Sequence, residues 1–252
     1  MIKIARSESL TLYPAELLEM AFKKYYPNED IELYCEPYIE PQKAHWSFDN
    51  YRCSGALQGG FPLFYTQPGW GANFDKMGRT NNKCVTYACD PEIHKPVDIK
   101  KTFDVGFIGS GSSENCDRDE YLQAINANFN ALIRDDVLSK DLSKEYSKCK
   151  VIFNHIRYEE INIRFFEGLA LGAMVVSYTP CLHYFAQEEK HYLSFRSVEE
   201  AISQINFLLE HDKIREKMAK DARKHVIKYH TYKNRAEEML SFIRKVNNVY
   251  TS

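Results

Sequence analysis

The sequence predicts an α/β protein with parallel sheets, and three observations carry that expectation. Short strand-like runs alternate with stretches of helical periodicity along most of the chain, the order expected of a parallel sheet covered on both faces. The run "CKVIFNH" is apolar enough for a buried strand, and "AMVVSY" follows a helical segment as the next one. Three periodic helical segments close the chain, with no internal repeat or low-complexity tract.

Taken in order, "IKIARS" reads as a strand. "YPAELLEMAFKKYY" places Leu17, Leu18, Ala21 and Phe22 at helical spacing after Pro14. "DIELYCEPY" alternates as a strand, and "KAHWSFDNY" is a weaker strand candidate. "GGFPLFYTQPGW" holds a short apolar strand between Gly and Pro breaks, and "WGANFDKMG" suits a short helix stopped by Gly78. "KCVTYACDP" is a further strand ended by Asp90-Pro91. The prolines and charges of "PEIHKPVDIKKT" then suggest a linker, with a domain boundary near residues 91–101. Beyond it, "FDVGFIGSGSS" is a strand running into a Gly/Ser loop, and "DRDEYLQAINANFNAL" is the helix after it. "LSKDLSKEYSKC" is a short amphipathic helix, and "INIRFFEGLALG" a helix between two strands. "HYLSF" is a short strand candidate. The closing helices are "SVEEAISQINFLLEH", "DKIREKMAKDARKHVIKYH" and "TYKNRAEEMLSFIRKV", the first opened by a capping box of Ser197 and Glu200.

The chain has 252 residues, 44% of them hydrophobic, enough for one large domain or two small ones with real cores. A net charge of -2 gives no global field for nucleic acid or an anionic membrane. The exception is local: Asp212 to Arg235 holds nine Lys/Arg against three Asp/Glu. A solvated helix face explains that segment, and so does a patch for an anionic partner. The seven cysteines are odd in number and form no C-x-x-C, which fits reduced, mostly buried thiols in a cytoplasmic protein. The opening "MIKIARSESLTLYP" lacks a signal-peptide core, and no run approaches the ~20 apolar residues of a membrane span.

In an open parallel sheet the ligand lies at the carboxyl ends of the strands. Three motifs fall there. "FIGSGSS" brings Gly109 and Ser110 after a strand, where small residues let backbone N–H groups approach a phosphate; a plain tight turn is the other reading. Arg118 either supplies a charge to a diphosphate or is an exposed helix-cap arginine. Glu167 sits among Phe165, Phe166, Leu169 and Leu171, so its carboxylate needs hydrogen-bond donors, and paired ribose hydroxyls are good ones. An ordinary, partly exposed helical glutamate is the alternative. "DRD", Asp117 to Asp119, has the form of a cation-binding pair, but it opens a helix where acids are stabilised anyway. His45, in "AHWSFD", and His155, which ends a predicted strand, have structural readings beside catalytic ones. No zinc-protease, nucleophile-elbow or kinase signature occurs.

The spacing Glu159-x7-Glu167, followed by Gly-Leu-Ala-Leu-Gly-Ala and an apolar strand, resembles the nucleotide-sugar signature of group 1 glycosyltransferases of the GT-B fold. "NIRFFEGLALGAMVVSY" looks more closely like the CgeB-like, spore-maturation branch, with its N-x-R-x-F-E core. The resemblance spans roughly residues 60 to 240, taking in "VTYACDPEIHKPVDIKKTFDVGFIGS", "LSKEYSKCKVIFNH" and "HTYKNRAEEML". It implies two Rossmann-like domains. These are a shortened N-terminal acceptor-side domain over 1–97 and a larger donor-binding domain over 98–235, with a terminal helix over 236–252 that packs back on the first.

Carried over position by position, the resemblance puts the donor ribose on Glu167 and the donor sugar near Glu159, with Glu160 a close competitor. The backbone around Ile161 to Ile163 would sit near the diphosphate, with Gly109, Ser110 and Arg118; Asn162 and Arg164 match the family's N-x-R, and Arg164 either pairs with phosphate or braces the helix. His155 joins Glu159 as a candidate catalytic residue, and His45 and Asp49 lie on the acceptor side. The implied activity is transfer of a hexosyl-type sugar from a nucleoside diphosphate sugar, a UDP-sugar above others, with retention favoured. No metal or other cofactor is implied. The acceptor would enter between the domains; a glycan, a protein and a modified DNA base all remain open. A second copy or a partner subunit would complete the acceptor site if the short first domain does not. The rivals are a non-catalytic nucleotide-sugar binder and a sugar-nucleotide epimerase of similar fold. The epimerase lacks a matched acid/base pair here.

Overall fold

The computed structural model describes residues 2–6, 13–29, 31–35, 44–47, 63–66, 68, 75, 81–109, 117–138, 141–156 and 161–251. The chain divides into two compact units, Met1–Ala88 with Tyr232–Ser252, and Cys89–Thr231.

In the first unit the strands are β1 (Ile2–Arg6), β2 (Ile31–Cys35), β3 (Ala44–Ser47), β4 (Leu63–Tyr65) and β5 (Asn82–Cys84). All pair in parallel, in the order β2-β1-β3-β4-β5. The helix α1 (Tyr13–Tyr25) buries the predicted stripe of Leu17, Leu18, Ala21 and Phe22. The chain's last helix, which spans Tyr232–Thr251, packs on α1 and completes this unit. Arg244 of that helix pairs with Glu29, and Phe242 meets Phe64 edge-on with ring centroids 5.7 Å apart. The run "KCVTYACDP" forms a shorter strand than its apolar character suggests: pairing stops at Cys84, and Val85 to Ala88 lie outside the ladder. The helix expected over "WGANFDKMG" falls almost entirely outside the described residues.

The second unit contains β6 (Phe103–Ile108), α2 (Arg118–Asn128), β7 (Ala131–Arg134), α3 (Leu142–Ser147), β8 (Cys149–Asn154), α4 (Ile163–Leu171), β9 (Ala173–Ser177), β10 (Leu193–Phe195), α5 (Val198–Glu210) and α6 (Asp212–Tyr229). The Tyr232–Thr251 helix is therefore α7. The second sheet is also wholly parallel, with order β10-β9-β8-β6-β7. Its strands alternate between two cores, as a period of two requires. Val105, Phe107, Val151, Phe153 and Val175 face α2, α5 and α6. Ile108 and Ile152 face α3 and the end of α4. The sheet is thus covered on both faces, and its central strands read as nearly continuous apolar runs for that reason.

Two expectations change here. The helix read over "DRDEYLQAINANFNAL" ends at Asn128, and "ALIR" is the strand β7. That strand pairs only with β6 and is half-exposed, so it lacks the apolar run that would have betrayed it. The stretch after Asp90 is not a free linker. It is a turn fastened to the second unit: Asp90 Oδ1 accepts from the N–H groups of Glu92 and Ile93, Ser143 Oγ donates to Ile93 O, and Ser147 Oγ accepts from Val97 N. The units accordingly divide at Ala88/Cys89 and Thr231/Tyr232 rather than at 97/98 and 235/236.

Candidate functional site

In both sheets the first strand of the unit has the second on one side and the third on the other. In the second unit this reversal lies between β6 and β8, so the crevice outside their carboxyl ends is where an open α/β sheet binds ligands. The residues that follow these two strands gather there. Gly109 follows β6, and His155 follows β8. The end of β6 is fixed by Tyr146, whose hydroxyl accepts from Ile108 N at 3.2 Å. Burial pushes the pKa of that phenol up.

Helix α4 delivers the next three groups. Asn162 caps it, its Oδ1 accepting from Phe165 N at 3.1 Å. The same amide exchanges bonds with Asn154 at the end of β8, at 3.0 and 3.1 Å. Strand β8 and the helix that follows are thereby locked together at the crevice. Arg164, in the first turn, donates to Ile108 O at 3.3 Å and lies 5.2 Å from the centre of the Phe107 ring. A Cβ on Gly109 would stand 1.6 Å from Arg164 Nη1, so only glycine lets the guanidinium lie across that loop. Close packing continues at Gly168, where a Cβ would meet Met174 Cε at 2.1 Å. The missing methyl leaves room for the end of the Met174 side chain between α4 and the sheet.

Glu167 is 3% exposed on this helix. Its Oε1 lies 3.2 Å from Nε2 of His94, itself fully buried. The reading of an ordinary, partly exposed glutamate is therefore excluded by its placement. His94 was hidden inside the supposed linker. No periodicity flags it, and the Asp90-Pro91 turn start four residues earlier is the nearest thing to a signal. Asn154 was likewise missed, since an asparagine ending an apolar strand is the only clue the sequence offers.

Arg118 opens α2 but is 1% exposed, which removes the reading as an exposed helix cap. Its Nη2 donates to His155 O at 2.9 Å, and its guanidinium stands 5.5 Å from the centre of the Phe107 ring. The Phe107 ring thus has both Arg118 and Arg164 against it. His155 is 5% exposed, with Nε2 at 3.2 Å from Asp117 Oδ1 and its ring centred 4.8 Å from that of Tyr121. The structure brings Gly109, Arg118, His155, Asn162 and Arg164 to the carboxyl ends of β6 and β8, while Ile163 and Glu167 lie on the same helix α4, Glu167 against His94. Ser110, Glu159, Glu160 and Asp49 lie outside the described residues. His45 is described only as part of the backbone of β3.

The basic segment from Asp212 to Arg235 is not a uniform surface. Arg215 donates to Leu208 O, Arg223 to the carbonyls of His94 and Ala170, and Arg235 to those of Thr86 and Tyr87. Among the described residues no helix is long and apolar enough to cross a membrane.

Comparison with known proteins adds to this geometry. Residues 92–241 match the profile of a family described as glycosyl transferase-like. No curated protein matches the chain significantly. Solved structures match over nearly its whole length. A glycosyltransferase from Rickettsia africae has TM-score 0.68 and 7% identity, over 97% of this chain and 98% of that one. Anabaena Alr3699/HepE in complex with UDP and glucose has TM-score 0.66 and 9% identity, over all of both chains. The DNA-modifying enzyme β-glucosyltransferase has TM-score 0.60 and 14% identity, over 98% of this chain and 100% of that one. The fold is that of the GT-B glycosyltransferases.

Proposed function

The chain belongs to the glycosyl transferase-like family, and on that premise we propose that it transfers a sugar from a UDP-sugar, without a metal, to an acceptor hydroxyl or amine. The observation that carries the reading is the buried Glu167 carboxylate on α4, one turn after Arg164, whose guanidinium reaches the end of β6. A desolvated carboxylate is stable only with donors around it, and the two hydroxyls of a ribose are such donors. Arg164 and the N-terminus of α4 then face the diphosphate, where the helix dipole favours anions. UDP is favoured over other nucleotides because the similar HepE structure holds UDP and glucose. The N-x-R-x-F-E core at Asn162 to Glu167 supports placement in the CgeB-like branch.

In this scheme the bond between the sugar's anomeric carbon and the diphosphate oxygen breaks, and a bond from that carbon to the acceptor forms. UDP departs with the bonding electron pair, and the acceptor's proton passes to the departing diphosphate oxygen and from there to solvent. Charge grows on the diphosphate as that bond breaks, so fixed donors and a helix dipole at that place stabilise the transition state. Glu159 serves the donor sugar, and the anomeric configuration is retained.

The test is release of nucleoside diphosphate from UDP-, GDP- and ADP-sugars by wild type and Glu167→Ala, with and without EDTA. Release from the UDP-sugar that survives EDTA and falls at least about tenfold in the variant supports the donor site. A chain that neither turns over nor binds any donor would show that this copy is not an active transferase. NMR of the product anomer decides retention.

A further inference from the structure

We infer that His94 is the residue that positions Glu167 for the donor ribose, an inference that rests on the donor-site reading above. The ring is held from several sides. Asp90 N donates to its Nδ1 at 2.8 Å, and His94 N donates back to Asp90 O at 2.7 Å. The backbone N–H occupies Nδ1 as an acceptor, so the ring hydrogen sits on Nε2, the ring atom that lies 3.2 Å from Glu167 Oε1. The tautomer is thus set by the main chain.

The distance between ring and carboxylate is set by one arginine. Arg223 Nη1 donates to His94 O at 2.7 Å and to Ala170 O at 2.6 Å. Ala170 lies one turn after the glutamate on α4. The same guanidinium therefore fixes the turn that carries the ring and the helix that carries the carboxylate. With His94 Nε2 3.2 Å from Oε1, the ring confines the carboxylate on one side, and no described residue hydrogen-bonds its other oxygen. A ribose diol would meet a carboxylate already oriented, and preorganisation of this kind lowers the entropy lost on binding.

The alternative is a buried ring that only fills space. The two differ in what the N–H does, so the experiment compares His94→Phe, which keeps the ring and loses the donor, with His94→Gln, which restores an N–H near Nε2. The probes are UDP and 2′-deoxy-UDP, and the readout is calorimetric binding. We expect wild type to prefer UDP. In His94→Phe, UDP should bind about tenfold more weakly and the preference over the deoxy ligand should shrink. His94→Gln should recover most of both. Adding His94→Phe to Glu167→Ala should cause no further loss, because the two act as one unit. Equal ligand preference in wild type and His94→Phe, with Glu167→Ala defective, overturns the role of His94 and leaves the donor site standing. Normal UDP binding by Glu167→Ala overturns the donor site and, with it, this inference. Should His94→Phe not fold, 15N spectra of the wild-type imidazole decide: an Nε2–H tautomer whose signal moves with UDP supports the role, and a signal indifferent to UDP rejects it.

Discussion

At His94 the backbone N–H four residues earlier donates to ring Nδ1, and the histidine's own N–H donates back to that residue's carbonyl, at 2.8 and 2.7 Å. At His191 the same pair of bonds runs to Gln187, at 3.0 and 2.9 Å. Both rings are buried, and both are clamped in the tautomer with the hydrogen on Nε2. What differs is the neighbour of the ring. His94 meets a carboxylate. His191 stacks on a second imidazole, His225, with centroids 4.4 Å apart and planes 26° apart. The local clamp fixes the proton, and tertiary packing decides what the ring serves.

The comparison is broken most severely by removing each ring in turn. His94→Leu leaves a buried carboxylate without its donor and the Asp90 N–H without its acceptor, and should cost about 3 kcal/mol. His191→Leu strands only the Gln187 N–H and should cost about 1 kcal/mol. Urea unfolding of the two variants measures the difference, and equal losses would mean that Glu167 draws nothing from His94.

A smaller effect comes with pH. The pKa of His191 is pushed down to about 4, first by burial, then by His225 and Lys190, against an opposing pull from Asp221. Folded, this histidine binds fewer protons than when unfolded. Its contribution is therefore undiminished above its ordinary pKa of 6.5 and is lost as pH falls from 6.5 to about 4. The urea midpoint of wild type should drop more steeply through that window than that of His191→Phe, and parallel curves would refute the assignment.

The smallest change sharpens the comparison without breaking it. His225→Ala removes the second cause of the shift, so the His191 resonance should titrate at a higher pH than in wild type, though still below 6.5 because burial remains. A titration midpoint that stays in place would show that stacking on His225 does not act on the charge.

Much of this was legible in the sequence. Ser197 accepts from Glu200 N at 3.2 Å, as the capping pattern implies, while Glu200 accepts from Arg196 N at 2.7 Å, one residue before the N-cap N–H that a capping box would use. Helices α1, α4, α5, α6 and α7 lie where their periodicity places them. Edge strand β7 was not legible, because half-exposed "ALIR" carries no pattern that a helix end would lack. The prolines around His94 mark a turn in either case; whether that turn floats or docks depends on Ser143, Ser147 and Arg223, all distant in the chain.

By itself the sequence determined the alternation of strands and helices, the helix caps and the glutamate-bearing motif, because periodicity, capping and glycine tolerance act within a few residues. Only the tertiary structure decided that β6 lies between β7 and β8, that Arg118 turns inward to His155, and that His94 faces Glu167. These are contacts between segments far apart in the chain. Their partners are chosen by which faces must be buried together and which buried polar groups must find a bond, and neither condition is written in any one stretch.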